Sequence, residues 1–93
     1  IHTKKELERA MKIGYPIIGI NNRNLNTLDI NDYNTINLVS NIPKEFTIVA
    51  ESGIKTHDQI KQYNDSGIFN FLIGESILKS TNISNKIKEL KGE

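Results

Sequence analysis

Three short polar stretches each stand directly behind an apolar run, and each carries groups that could hold or act on a charged ligand. In the run Gly19-Ile20-Asn21-Asn22-Arg23-Asn24-Leu25, amides and a guanidinium follow the apolar residues 16–20. Glu51-Ser52-Gly53 follows residues 46–50, and Gly74-Glu75-Ser76 follows residues 69–73. A guanidinium fork matches phosphate or carboxylate oxygens two at a time. Glycines let a ligand approach the backbone closely, and free amides near a helix start, with the helix dipole behind them, attract phosphate. Glu51 has two readings that are compatible. It can act as an acid, a base or a stabiliser of positive charge on a ligand, or it can pair with a lysine of a neighbouring strand, which would also tune its pKa. Asn21, one residue past the apolar run, is costly to desolvate, so a bound polar ligand is the expected recipient of its hydrogen bonds.

Other chemistries find little support. His57 falls in the first turn of a predicted helix and is expected to be solvated, and His2 lies at the start of the chain. Ser52 and Ser76 have no base at hand to make either a nucleophile, so hydrogen bonding is their expected task. No pair of histidines or carboxylates has metal-ligand spacing, and neither a Walker loop nor a G-x-G-x-x-G run occurs. With no cysteine in the sequence, thiolate catalysis, zinc–thiolate sites and disulfides are excluded.

The elements that must position the polar stretches can be read from capping and periodicity. Thr3-Lys4-Lys5-Glu6 is a capping box, and Leu7, Ala10, Met11 and Ile13 continue a helix that Gly14 can end. Residues 16–20 form a first strand whose lack of alternation predicts cover on both faces, as in a parallel sheet. Asn31 or Asp32 is the expected cap of a helix carrying Ile36, Leu38 and Val39, which stops before Ile42-Pro43. Residues 46–50 give the second strand. Thr56-His57-Asp58-Gln59 repeats the capping box ahead of a helix that ends at Gly67, and residues 69–73 give the third strand. A last helix, capped within residues 82–84, carries Ile83, Ile87 and Leu90.

Strands alternating with helices imply βα units and a parallel sheet, whose ligands gather at the carboxyl ends of the strands. All three polar stretches fall at that end. Two successive strands closing on a glycine match the phosphate site built after the last two strands of a (β/α)8 barrel. Three strands alone leave two open edges, so either another chain segment completes the sheet or the chain associates with a copy of itself.

At 93 residues the chain is a single domain at most, and the beginning at Ile1, where a strand would be ending, suggests one part of a longer polypeptide. A net charge of +1 gives no electrostatic reason to expect nucleic acid as a partner. Apolar runs of about five residues are far short of the roughly 20 that cross a bilayer, so no membrane partner and a cytoplasmic location are expected.

The stretches IIGINNRNLNTLDI, IVAESGIKTHDQI and FLIGESIL, taken together, resemble the carboxyl-terminal portion of indole-3-glycerol-phosphate synthase, over nearly the whole chain. GINNRNL and ESGI carry the specificity, whereas IGES is shared with other phosphate-binding barrels. The resemblance implies an α/β chain holding the last three βα units, plus the preceding helix, of a (β/α)8 TIM barrel, with residues 1–93 as one partial domain. It implies a lyase of tryptophan biosynthesis that closes the ring of the phosphorylated small molecule 1-(2-carboxyphenylamino)-1-deoxyribulose 5-phosphate with loss of carbon dioxide and water, and needs no cofactor. It assigns Asn21, Glu51 and Ser52 to the reacting centre. Arg23, Gly53, Gly74, Glu75 and Ser76 would contact sugar and phosphate, and Leu25 and Leu72 would wall the aromatic ring.

By the same resemblance the family's first five strands, with a glutamate and a lysine on the first, a lysine acid on the third and a glutamate on the fifth, have no counterpart in this sequence. No lysine of the chain is expected at a strand's carboxyl end, so the chain by itself is expected to be inactive. Competing expectations are another phosphate-binding barrel, such as phosphoribosylanthranilate isomerase or a thiazole or thiamin phosphate synthase, which GINNRNL fits poorly, and a self-associating α/β module without catalysis.

Overall fold

The computed structural model describes residues 1–93. Helix α1 spans Lys4–Ile13, strand β1 Ile17–Asn21, α2 Asn34–Val39, β2 Thr47–Glu51, α3 His57–Asp65, β3 Asn70–Leu72, α4 Glu75–Leu78 and α5 Ile83–Lys91. The strands form one three-stranded parallel sheet in the order β1-β2-β3.

Local signals account for most boundaries. Both capping boxes form: the Thr3 and Thr56 hydroxyls accept the amides of Glu6 and Gln59, and the Glu6 and Gln59 side chains return to the cap amides. Gly14 ends α1 in the left-handed region at φ 79°, where a side chain would be strained. Asn82 caps α5 through the amide of Asn85.

Helix α2 differs from expectation. It begins at Asn34, and Tyr33 gives it no side-chain cap. Asn31 spends its side chain one turn earlier, accepting the Tyr33 amide at 3.0 Å, while its carbonyl takes the amide of Asn34. Strands β1 and β2 also sit one residue later than expected, and β3 is one residue shorter at each end. Because the Thr47 amide donates to the carbonyl of Pro16, the β1–β2 ladder begins there and runs on to pair Asn21 with Glu51. Asn21 and Glu51 are therefore the last residues of strands, held by the ladder instead of by loops. The short helix α4, directly behind Gly74, was not foreseen.

Cover on both faces is the expectation the structure corrects. Ile18 and Ile20 of β1 pair in register with Ile48 and Ala50 of β2, and all four are buried against Leu7, Leu38 and Tyr63 of the helices. Phe71 of β3 joins this face, its ring edge-on to Tyr63 at a centroid distance of 5.6 Å. The alternate residues, Gly19, Asn21, Val49, Glu51, Asn70 and Leu72, point the other way and stand partly or fully open. All the helix cover lies on one side, so the strands alternate in burial after all. Beyond β1, Ile1 donates to the Gly19 carbonyl and accepts the Asn21 amide, the bonding pattern of a further parallel strand at that edge.

Candidate functional site

The carboxyl ends of the strands surround a cavity of about 660 Å³. Ladder and caps aim the residues around it. Glu51, at the end of β2, reaches it from the open face of the sheet, and Ser52 and Gly53 follow with φ of 70° and 77°. A serine in that region is strained by an amount on the order of 1–3 kcal/mol. The conformation is held by contacts: the Ser52 hydroxyl donates to Asn21 Oδ1 at 2.6 Å, and the Ser52 carbonyl accepts Asn22 Nδ2 at 3.0 Å. At Gly53 a Cβ would come within 2.8 Å of Asp32 Oδ1 and 2.9 Å of Ile30, so no side chain fits.

Of the ten residues singled out from the sequence, Arg23, Glu51, Ser52, Gly53, Leu72, Gly74, Glu75 and Ser76 line this one cavity. Asn21 stands behind it, its side-chain oxygen taking the Ser52 hydroxyl and the Arg23 amide at 2.9 Å. Leu25 lies outside the cavity and is 72% exposed. The loop after β1 explains that position: Arg23 bridges Ile30 in antiparallel fashion, Asn24 bonds Asp29, and Leu25 is left at the tip of this small ladder.

The amides of GINNRNL, expected to serve a ligand together, divide their work. Asn24 turns its own loop, its side chain accepting the amides of Asn26 and Thr27. Asn22 is fully buried. Its Nδ2 donates to the Ser52 carbonyl and to the Tyr63 hydroxyl at 2.8 Å, and its Oδ1 accepts the amide and hydroxyl of Thr35. Tyr63 in turn donates to the Asp32 carbonyl. One amide thus ties the β1 end, α2, α3 and the Ser52 turn together, which leaves Arg23 as the member of the stretch that lines the cavity, with Asn21 bracing it from behind.

The sequence model of the family described as Indole-3-glycerol phosphate synthase matches residues 1–90. The chain belongs to the indole-3-glycerol phosphate synthase family. It is 42% identical to the synthase of Lachnoclostridium phytofermentans over 97% of its own length and 33% of the relative's. The figures for the synthase of Acetivibrio thermocellus are 43%, 98% and 35%, and for that of Polaromonas naphthalenivorans 41%, 100% and 35%. The chain spans about a third of the length of the curated relatives it matches.

Within this segment of the synthase family, charge around the cavity is arranged by Glu75. Its carboxylate takes Lys79 Nζ at 2.7 Å and the Arg23 guanidinium at 3.2 Å. The Lys79 hydrogen bond and charge, followed by Arg23, hold its pKa below the ordinary carboxylate value. Both pairs are open to solvent, where ion pairs contribute little to stability. An arriving dianion would compete with Glu75 for the same cations. Ser76 turns its hydroxyl to the Ile54 carbonyl at 2.8 Å and fastens α4 to the Ser52–Lys55 segment.

Two lysines not singled out from the sequence, Lys55 and Lys79, also line the cavity, although neither stands at a strand end. A cation two residues past Gly53 is the signal that could have found Lys55, and spacing of four from Glu75 the one for Lys79. The expectation that His57 is solvated is corrected. His57 is partly buried, its Nδ1 2.9 Å from the Leu90 carbonyl and its ring against Gly92, so it joins α3 to α5 instead of facing solvent. His2 Nδ1 lies 2.7 Å from the Asn21 carbonyl and seats the amino-terminal end on β1.

Proposed function

We propose that the chain supplies the last three βα units of a (β/α)8 barrel with indole-3-glycerol phosphate synthase activity. That activity converts 1-(2-carboxyphenylamino)-1-deoxyribulose 5-phosphate to indole-3-glycerol phosphate, with ring closure and loss of carbon dioxide and water, in the cytoplasm and without a cofactor. The single observation that carries this reading is the convergence of Arg23, Gly53, Gly74 and Glu75 on one cavity at the strand ends.

In this reading the Arg23 guanidinium and the amides of Gly53, Gly74 and Glu75 hold the sugar phosphate, with Ser76 fixing the α4 end of the cradle. Lys55 and Lys79 add positive charge nearby. Leu72 faces the aromatic ring, and Leu25 reaches it only if the loop tip folds inward on binding. Asn21 and Ser52, coupled by their short hydrogen bond, orient the substrate near the reacting atoms. Glu51 places negative charge in the same cavity, where it stabilises cationic character that develops as the ring closes. Ring closure and dehydration also need proton donors, and these 93 residues offer none aimed into the cavity from the sheet, so the chain by itself is expected to show no turnover.

In the full-length enzyme, Arg23→Ala should raise KM roughly tenfold or more with kcat changed far less, because a phosphate contact holds ground and transition states alike. A collapse of kcat at unchanged KM would remove Arg23 from that role. The open face of the sheet, with Ile17 and Leu72 exposed, leads to self-association of the 93-residue chain, readable by sedimentation.

A further inference from the structure

Gly19 sits in the middle of β1 on the open face, paired with Val49, and its backbone lies outside the left-handed region. Nothing in the strand's conformation therefore calls for glycine. In a strand interior glycine weakens the element relative to alanine. What occupies the space of the missing side chain is Glu51: a Cβ at position 19 would lie 2.0 Å from Glu51 Oε2 and 3.2 Å from its carboxyl carbon, and no other atom comes within 4 Å. The carboxylate of Glu51 makes none of the chain's ion pairs, which involve Glu75, Glu89 and Glu93. The notch over Gly19 is the contact that locates it.

We propose that Gly19 is a positioning residue, whose missing side chain sets where the Glu51 carboxylate lies at the cavity. The chemical significance of that placement rests on the reading of Glu51 given above. The obstructing atom is the far end of a flexible side chain, so a methyl group at position 19 moves the carboxylate and spares the strand. A carboxylate moved by about 1 Å leaves the geometry on which electrostatic stabilisation depends, a displacement that costs roughly a hundredfold in rate.

The test is Gly19→Ala in the full-length enzyme with 13C-labelled glutamate, the Glu51 carboxyl resonance being assigned by its disappearance in Glu51→Gln. The expected result is a changed Glu51 resonance, with thermal stability unaltered or slightly raised, a fall in kcat of roughly a hundredfold and KM within about twofold. An unchanged Glu51 resonance would overturn the inference. A shifted resonance with undiminished turnover would leave Gly19 in its role and remove Glu51 from the proposed chemistry, so the two failures are distinct. Should Gly19→Ala fail to fold, the same substitution in a Glu51→Ala background decides: recovery of folding supports the notch, and failure in both backgrounds overturns it.

Discussion

The two faces of the sheet are made from alternate residues of the same strands, yet they do opposite things. On the helix side, Ile18, Ile20, Ile48 and Ala50 are closed under Leu7, Leu38 and Tyr63, and the buried Asn22 has every polar atom of its side chain satisfied. On the other side Gly19, Asn21, Glu51 and Leu72 stand partly or fully open, and the strained Ser52 follows at the strand end. The buried core is concentrated on one face, and the chemistry proposed above belongs to the other. The difference shows how a parallel strand can anchor a fold and present a site with a period of two.

If that division is right, substitutions should sort by face, and the largest loss belongs to the helix side. Ile20→Ala, at a fully buried position, should cost about 3–4 kcal/mol in chemical denaturation of the chain. A loss below about 1 kcal/mol would show that the core lies elsewhere. Next comes Asn22→Ala, which takes the side-chain acceptor from the Thr35 amide and leaves the Thr35 hydroxyl only its long bond to the Ile20 carbonyl, and should cost about 2–3 kcal/mol. This variant also frees the Ser52 carbonyl, so amide exchange at Ser52 and Gly53 should quicken with it.

Tyr63 gives a pH-dependent version of the same contrast. Burial, opposed by the Asn22 hydrogen bond and aided by the Asp32 charge, raises its pKa above the ordinary 10.0. A raised folded value means that the stability it contributes is complete below pH 10 and declines as pH rises through the folded value. Denaturation followed from neutral to strongly alkaline pH should show this decline, and Tyr63→Phe should remove it. The smallest effect belongs to the open face. Leu72 is 62% exposed, so Leu72→Ala should change the stability of the chain by no more than about 0.5 kcal/mol. A loss comparable to that of Ile20→Ala would mean that the open face is covered and would end the comparison.

The division was only partly legible in the sequence. Capping boxes are local, so Thr3-x-x-Glu6 and Thr56-x-x-Gln59 announced α1 and α3 unaided. The apolar runs announced the strands, but the isoleucines and valines on both sides of them hid the alternation, because hydrophobicity does not record whether a cover exists. At the site, the three polar stretches were readable because each follows its strand directly. Asn22 was not: its partners Thr35 and Tyr63 lie far along the chain, and in sequence a clamp looks the same as a ligand-binding amide. Leu25 was misplaced relative to the cavity for a similar reason, since the Arg23–Ile30 bridge that carries it to a loop tip has no local signature.

The claim on which all of this turns is that Arg23 and the backbone of two strand-end loops form one anion site. Inorganic phosphate titrated into the folded chain, with amide resonances recorded, tests it most directly. Saturable shifts at Gly53, Gly74 and Glu75 at millimolar phosphate, weakened in Arg23→Ala and absent at Asn22 and Thr35 under the helices, are the predicted result. Amides of Gly53, Gly74 and Glu75 that stay in place through the titration would contradict it.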